Sequence, residues 1–205
     1  MTAETLEEFN LTLKPNKRRT RKPKPMTGCS EKRAEEGGDD FQTPPEALSV
    51  LYPYLPAGKT IWEPAMGEGN LVSALMKRGY PVIGSDIKTG QNFFSYRPAD
   101  PWDIQVTNPP FSVKDGWIAE SYRWLVEYGK PFALLLPFAA LEGAKRQPLY
   151  IQHGVELIFL DRRLNFQTPS GEGDGSWFAT MWLTAGLNIG RQLTFATVED
   201  EKQAD

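Results

Sequence analysis

Cysteine and histidine are almost missing from this chain of 205 residues. Cys29 is its only cysteine and His153 its only histidine. A single cysteine excludes an internal disulfide framework and a cysteine-rich zinc site. A lone histidine is most often a surface or helix-end residue, and it gives no basis for a His-based metal cluster or a Ser-His-Asp triad. We therefore expect no metal site.

Long hydrophobic runs are also missing. The most apolar stretch, residues 132–141, is too short to cross a bilayer and contains Pro137. Residues 1–8 lack the charged and apolar regions of a signal peptide. The chain is long enough for one α/β domain with a full core and too short for two large ones. We expect a soluble intracellular protein.

Charge is distributed unevenly along the chain. Residues 14–24 carry seven basic side chains and no acidic one, whereas residues 25–205 carry 16 basic and 23 acidic side chains, a net charge of −7. Polar and poor in large apolar groups, residues 1–38 are expected to be a disordered basic arm suited to phosphate backbones; the alternative is a merely solubilising tail. The remaining boundaries are a folded domain at 39–198 and a disordered tail at 199–205.

Apolar segments alternate with amphipathic ones through the folded part. Runs that are apolar throughout, such as 132–136, indicate parallel strands covered on both faces. The pattern predicts strands at 60–63, 81–85, 104–107, 132–136, 155–160 and 177–183, and helices at 44–54, 70–78, 113–128 and 141–152.

The first predicted strand runs into a glycine-containing loop that begins with an acid. Glu63 precedes Gly67 and Gly69, whose spacing does not fit a dinucleotide-binding fingerprint or a Walker lysine motif. An acid at this place repels pyrophosphate but suits a cationic ligand, such as a sulfonium or ammonium group. The next strand ends in Asp86, where nucleotide-binding α/β folds place a carboxylate on ribose hydroxyls.

The third predicted strand ends in the tetrapeptide Asn108-Pro109-Pro110-Phe111. Its prolines remove two backbone donors and restrain the backbone, so that an amide side chain and a carbonyl can point outward rigidly. Such a pair can accept two hydrogen bonds from one amino group, and the phenylalanine offers a face to a flat base. A simple strand-to-helix turn is the alternative interpretation. Ligands of parallel sheets bind at the carboxyl ends of strands, so Glu63, Asp86 and Asn108 are expected in one cleft.

Over residues 40–185 the chain resembles the S-adenosylmethionine-dependent DNA adenine-N6 methyltransferases, particularly small phage-type members with the gamma order of motifs. The resemblance implies an α/β, Rossmann-like class I methyltransferase fold: a mostly parallel seven-stranded sheet with helices on both faces and a terminal antiparallel hairpin. It implies cytoplasmic S-adenosylmethionine-dependent methylation of DNA, in a bacterial or phage-infected cell. The residues implied as catalytic are Asn108, Pro109, Pro110 and Phe111, and those implied as cofactor-binding are Thr43, Pro44, Glu63, Pro64, Ala65, Gly67, Gly69, Asp86 and Asn92.

Asn92 marks a departure from the family pattern. Many relatives carry an aspartate that accepts a hydrogen bond from the adenine amine of the cofactor, and here an asparagine oxygen takes that place. The hairpin around the small-residue loop 168–176 corresponds to one beside the target-base pocket in the family. Phe166 is the candidate to stack on an extruded adenine, with an ordinary core aromatic as the alternative. Arg162 and Arg163 are the candidates to meet phosphate, with pairing to surface acids as the alternative.

Three alternatives to DNA adenine methylation remain. The same tetrapeptide chemistry suits RNA adenine and protein glutamine, because both present a planar conjugated amine. A non-catalytic protein that binds nucleic acid or the cofactor is the second. A nucleotide-dependent oxidoreductase, disfavoured by the poor dinucleotide fingerprint, is the third. The basic arm at 14–24 favours DNA as the partner, with its phosphates on the arm and a flipped adenine in the pocket.

Overall fold

A computed structural model describes residues 41–166 and 178–200. Seven strands form one sheet in the order β2-β1-β3-β4-β6-β5-β7. The basic arm, the loop 168–176 and Trp177 lie outside the described residues. The strands are β1 (Ile61–Glu63), β2 (Val82–Gly84), β3 (Ile104–Thr107), β4 (Phe132–Pro137), β5 (Glu156–Leu160), β6 (Thr180–Ala185) and β7 (Leu193–Ala196).

The expected fold class is confirmed. Strands β1 to β4 pair in parallel, and β6 runs antiparallel to both of its neighbours, β4 and β5. The antiparallel pair β5–β6 is the hairpin that the sequence predicts, but it does not end the sheet. Strand β7 pairs in parallel with β5 at the sheet edge. The six strands predicted from the sequence do not include this one.

Helices cover both faces of the sheet. Helix α1 (Asn70–Lys77) packs with one set of strand side chains, which includes Ala133 and Leu135 of β4. Helix α2 (Lys114–Tyr128) packs on the opposite face, which includes Leu134. The alternation along β4 explains why a strand buried on both faces has no polar side.

Two of the four predicted helices are wrong in extent. Residues 44–54 form two short 3₁₀ helices, Pro45–Leu48 and Tyr52–Tyr54, rather than one α-helix. Pro53 lacks the amide hydrogen that a continuous helix would need there. The helix expected at 141–152 is also shorter, because the chain turns at Gly143 with positive φ and α3 begins only at Gln147 (Gln147–His153). None of the helices within the described ranges is long and apolar enough to cross a membrane.

Candidate functional site

The carboxyl ends of three neighbouring strands bring the predicted polar residues together. Glu63 ends β1, Asp86 follows β2, and Asn108 follows β3. Thr107, the last residue of β3, donates from Oγ1 to Glu63 Oε1 at 2.5 Å, which ties the ends of β1 and β3. The predicted cleft therefore lies at this edge of the sheet.

The loop after β1 wraps around the carboxylate of Asp86. Gly67 and Gly69 have φ values of +51° and +85°, a backbone region that side-chain-bearing residues rarely adopt. The Gly67 N–H donates to Asp86 Oδ2 at 3.0 Å, and the Lys88 N–H donates to Oδ1 at 2.8 Å. Each oxygen keeps a further lone pair, so Asp86 can still accept from the hydroxyl groups of a ligand.

Glu63 is a fully buried carboxyl group. Burial raises its pKa to about 8, an effect that the Thr107 and Ala65 hydrogen bonds oppose and the Asp86 charge reinforces. The Ala65 N–H donates to Oε1 at 3.0 Å, but Oε2 has no partner among the described residues. Near neutral pH the group is therefore protonated, and a cationic ligand beside it would favour its ionised form.

The amide of Asn108 is oriented by a hydroxyl from a distant part of the chain. Its Nδ2 donates to Thr43 Oγ1 at 2.8 Å, whereas its buried Oδ1 has no hydrogen-bond partner in the described structure. Pro110 has the restrained φ of −55° and leads directly into the 3₁₀ turn Phe111–Val113. The side chain thus keeps an unused acceptor, which is what binding of an amino group requires.

A small cavity of about 20 Å³ lies between these groups. It has room for about one water molecule. Gln42 accepts from the Glu68 N–H at 3.1 Å and lies 3.0 Å from where a Cβ on Gly67 would stand. The segment 41–43 therefore closes over the glycine loop, and in this conformation the cavity is too small to hold a nucleoside. The cavity is lined by Phe41, Gln42, Thr43, Glu63, Ala65, Met66, Asn70, Leu71 and Asn108.

Three phenylalanine rings cluster with Phe111, the last residue of the tetrapeptide. Phe111 stacks on Phe41 at 6.2 Å between ring centroids and meets Phe178 edge-on at 5.4 Å. Phe166 contacts the same two rings, at 6.0 and 5.9 Å, and is only 4% exposed. The structure thus brings Phe166 close to Phe111 but inside the core, so that its stacking on a base requires the cluster to open.

Sequence reasoning missed Phe178 and the contact between Thr43 and Asn108. Phe178 follows Trp177 in the predicted hairpin. Its place in that hairpin was the signal that could have identified it as a site residue. The link from Thr43 to Asn108 joins residues 65 positions apart. No local sequence pattern reports such a contact.

The other predicted residues have local surroundings of their own. Pro44 precedes the first 3₁₀ helix, and Pro64 is buried between Glu63 and the glycine loop. Asn92 Oδ1 accepts from the Phe94 N–H at 3.0 Å, which leaves one lone pair on that oxygen for a ligand. Arg163 is exposed beyond the end of β5. The described residues contain no cluster of three or more side chains suited to a metal ion.

Comparison with solved structures returns chains of low sequence identity. A type I restriction-modification methyltransferase subunit from Streptococcus thermophilus is 14% identical, with 77% of this chain and 47% of that chain covered and a TM-score of 0.46. A modification subunit assigned to a type I restriction enzyme of Vibrio vulnificus is 14% identical, with coverages of 80% and 47% and a TM-score of 0.43.

A protein from Listeria monocytogenes assigned to the class I S-adenosylmethionine-dependent methyltransferases is 13% identical, with coverages of 77% and 65% and a TM-score of 0.49. The chain thus spans between about half and two thirds of the length of these structures. No protein-family model matches the sequence. No curated protein matches it.

Proposed function

We propose that this protein transfers a methyl group from S-adenosylmethionine to the exocyclic N6 amine of adenine in DNA. The observation that carries the proposal is the buried Oδ1 of Asn108, which has no partner in residues 41–166 and 178–200 and whose amide is held by Thr43 at the carboxyl end of β3. A buried acceptor without a partner costs stability, so its retention here supports a role in binding a donor.

An adenine amine is a poor nucleophile because its lone pair is delocalised into the ring. Asn108 Oδ1 and the Pro109 carbonyl would accept hydrogen bonds from both N–H groups and favour a tetrahedral nitrogen with its lone pair free. As the nitrogen–methyl bond formed, the methyl–sulfur bond would break, S-adenosylhomocysteine would leave, and the nitrogen would lose a proton to solvent. Phe111 would stack on the base and fix its plane, a contribution of about 1–3 kcal/mol. Positioning and hydrogen bonding by these residues then supply the acceleration.

The residues around the glycine loop fit the cofactor. Glu63 Oε2, which has no partner in the part of the chain that the structure describes, suits a cationic group. The free lone pairs of Asp86 suit ribose hydroxyls, and the positive-φ glycines let the backbone come close to the ligand. S-adenosylmethionine, when bound, supplies the electrophilic methyl group. A base inside a duplex has to be flipped out to reach Asn108, and the aromatic ring of Phe111 would hold it there.

The experiment that tests the proposal follows labelled methyl from S-adenosylmethionine into duplex DNA, single-stranded DNA, RNA and protein. Nucleoside analysis should find N6-methyladenine in DNA. Asn108→Ala should abolish the transfer while the cofactor still binds, as measured by calorimetry, and Asp86→Ala should weaken cofactor binding instead. These two variants separate amine activation from cofactor binding.

Other outcomes would redirect the assignment. Label in RNA or protein alone would show that the substrate is wrong while the chemistry is right. Cofactor binding without transfer to any substrate would support the non-catalytic alternative. If Asn108→Ala weakened cofactor binding as much as Asp86→Ala does, the division of roles between the two residues would be wrong.

A further inference from the structure

Strand β7 forms an open edge of the sheet with an apolar face. Among the strands of the described residues it pairs with β5 alone. The Leu157 and Asp161 N–H groups of the neighbouring strand donate to the carbonyls of Gln192 and Ala196, so the backbone groups of the even-numbered residues of β7 face β5. By the alternation of a strand, the backbone groups of Leu193 and Phe195 point away from the sheet.

The side chains on this edge are exposed and apolar. Phe195 is 81% exposed and Leu193 52% exposed. The Phe195 ring stacks on Phe159 at 5.3 Å, and Phe159 in turn meets Phe138, itself 40% exposed, at 5.2 Å. Natural edge strands usually carry a charged residue or a proline that blocks pairing with another chain. The sequence of β7, Leu-Thr-Phe-Ala, contains neither.

The charges flanking β7 favour a second copy of this chain as the binding partner. Exposed Arg191 precedes the strand, and exposed Glu199 follows it. In an antiparallel pair of two copies with Phe195 opposite Phe195, Leu193 lies opposite Thr197 and Arg191 lies opposite Glu199. The same register brings the outward-facing backbone groups of Leu193, Phe195 and Thr197 into hydrogen-bonded pairs. The Glu199 N–H already donates to Ser49 Oγ at 3.1 Å, so at that position only the side chains pair. Charge, hydrogen bonding and apolar surface are thus self-complementary about one twofold axis, as a symmetric dimer requires.

We propose that two copies of the chain dimerise through β7, which joins their sheets into one continuous sheet. The twofold axis is perpendicular to the sheet, so the strands of the second copy run in the opposite direction. The carboxyl ends of the parallel strands, and with them the two candidate sites, then point in opposite directions.

Sedimentation velocity of the full chain over a range of protein concentrations tests the proposal. Wild type should sediment with twice the 23.1 kDa mass of one chain. Phe195→Glu should sediment as a monomer, because it places like charges opposite each other. Its circular dichroism spectrum should match that of wild type and show that the variant is folded. The matched control is Ile151→Glu, which changes a side chain that is 85% exposed on α3 and should leave the dimer intact.

A charge reversal tests the register itself. Arg191→Glu and Glu199→Arg, each alone, should weaken the dimer by about tenfold because each places two pairs of like charges across the axis. The double variant should restore wild-type association. A monomeric wild type at every concentration would overturn the proposal, and so would a double variant as weak as the singles. A dimer unaffected by Phe195→Glu would also overturn it, by placing the interface elsewhere.

Discussion

Glu63 is a buried carboxyl group whose protonation state changes when the chain folds. Its pKa is about 8 in the folded protein against 4.5 as the ordinary value. Between these two pH values the unfolded chain is ionised while the folded chain holds the proton, so raising the pH through this window favours unfolding. We expect the free energy of unfolding to fall by up to about 1.4 kcal/mol per pH unit across it because of this residue.

Chemical denaturation of wild type and Glu63→Gln at a series of pH values measures this effect. As the pH rises from 4.5 to about 8, the free energy of unfolding of wild type should decrease relative to that of the variant. Glu68→Gln is the matched control, since Glu68 is exposed in the same loop. The same pH trend in Glu63→Gln and wild type would show that Glu63 is not the titrating group.

Phe111 is the ring that the proposed function places on the target base. Its removal in Phe111→Ala should lower kcat/KM for DNA by roughly 10- to 100-fold, the equivalent of one base–aromatic stacking interaction. Affinity for S-adenosylmethionine should change little, because Phe111 does not line the cavity beside the glycine loop. Phe111→Tyr should retain most of the activity.

Tyr128→Ala provides the control for removal of a ring at a distance. Tyr128 is an exposed aromatic residue at the end of α2, away from the tetrapeptide. Steady-state kinetics should show it to be near wild type. An equal decrease of activity in both variants, or a decrease of cofactor affinity in Phe111→Ala, would argue against stacking on the base.

Residue types at strand ends made most of the candidate site predictable. Glu63, Asp86 and Asn108 each follow an apolar strand, and parallel strands place their carboxyl ends together. The burial of Phe166 in the core and the hydrogen bond from Asn108 to Thr43 depend on how distant segments pack. Such contacts are set by tertiary structure, so the sequence did not reveal them.

Arg146 joins two elements beside the tetrapeptide. Its Nε donates to the Ala140 carbonyl at 2.8 Å and its Nη2 to the Ala139 carbonyl at 3.0 Å. It also donates to the Glu142 carbonyl and forms an ion pair with Asp115 in the first turn of α2. The side chain is therefore a buried link between the turn after β4 and the helix that follows the tetrapeptide.

Arg146→Met should lower the free energy of unfolding by roughly 2–4 kcal/mol, because it leaves several carbonyl groups near the core without a donor. Denaturant titration measures this decrease. Lys145→Met, a change at an exposed neighbour, should alter stability by less than about 0.5 kcal/mol. Equal stability of the two variants would mean that solvent replaces the hydrogen bonds of Arg146.

The extent of an element was predictable only where its sequence was uniform. The amphipathic segment of α1 is found within one residue of its predicted end, as Asn70–Lys77. The prediction for 44–54 failed because it treated Pro53 as tolerable inside a helix. Strand β7 has four residues with two exposed side chains, too little apolar pattern to stand out from a loop.

At the scale of the whole molecule, the alternation of apolar strands and amphipathic helices sufficed for the fold class. A buried parallel sheet requires strands that are apolar on both sides, and β4 shows this directly. The position of β7 beside β5 could not be predicted in the same way. It depends on which sheet edge remains open after β6 has inserted between β4 and β5.

Net charge is the property of the whole chain that bears most on nucleic acid. Residues 25–205 carry a net charge of −7, whereas residues 14–24 carry seven basic side chains. A domain that repels phosphate as a whole needs a separate source of attraction if DNA is its substrate. We expect residues 14–24 to supply it, and the salt dependence of binding to report how many phosphates they neutralise.

Removal of residues 1–24 should weaken duplex binding. It should also reduce the magnitude of the slope of log affinity against log salt concentration, by about 0.9 for each phosphate that the chain no longer neutralises. Removal of residues 1–13 alone is the matched control. This segment carries three acidic and no basic side chains, so the shorter deletion should leave affinity unchanged or slightly raised. Fluorescence anisotropy with labelled duplex at several salt concentrations measures both deletions. If the two gave the same slope as wild type, the basic stretch would be a solubilising tail, and phosphate binding would have to come from the folded domain.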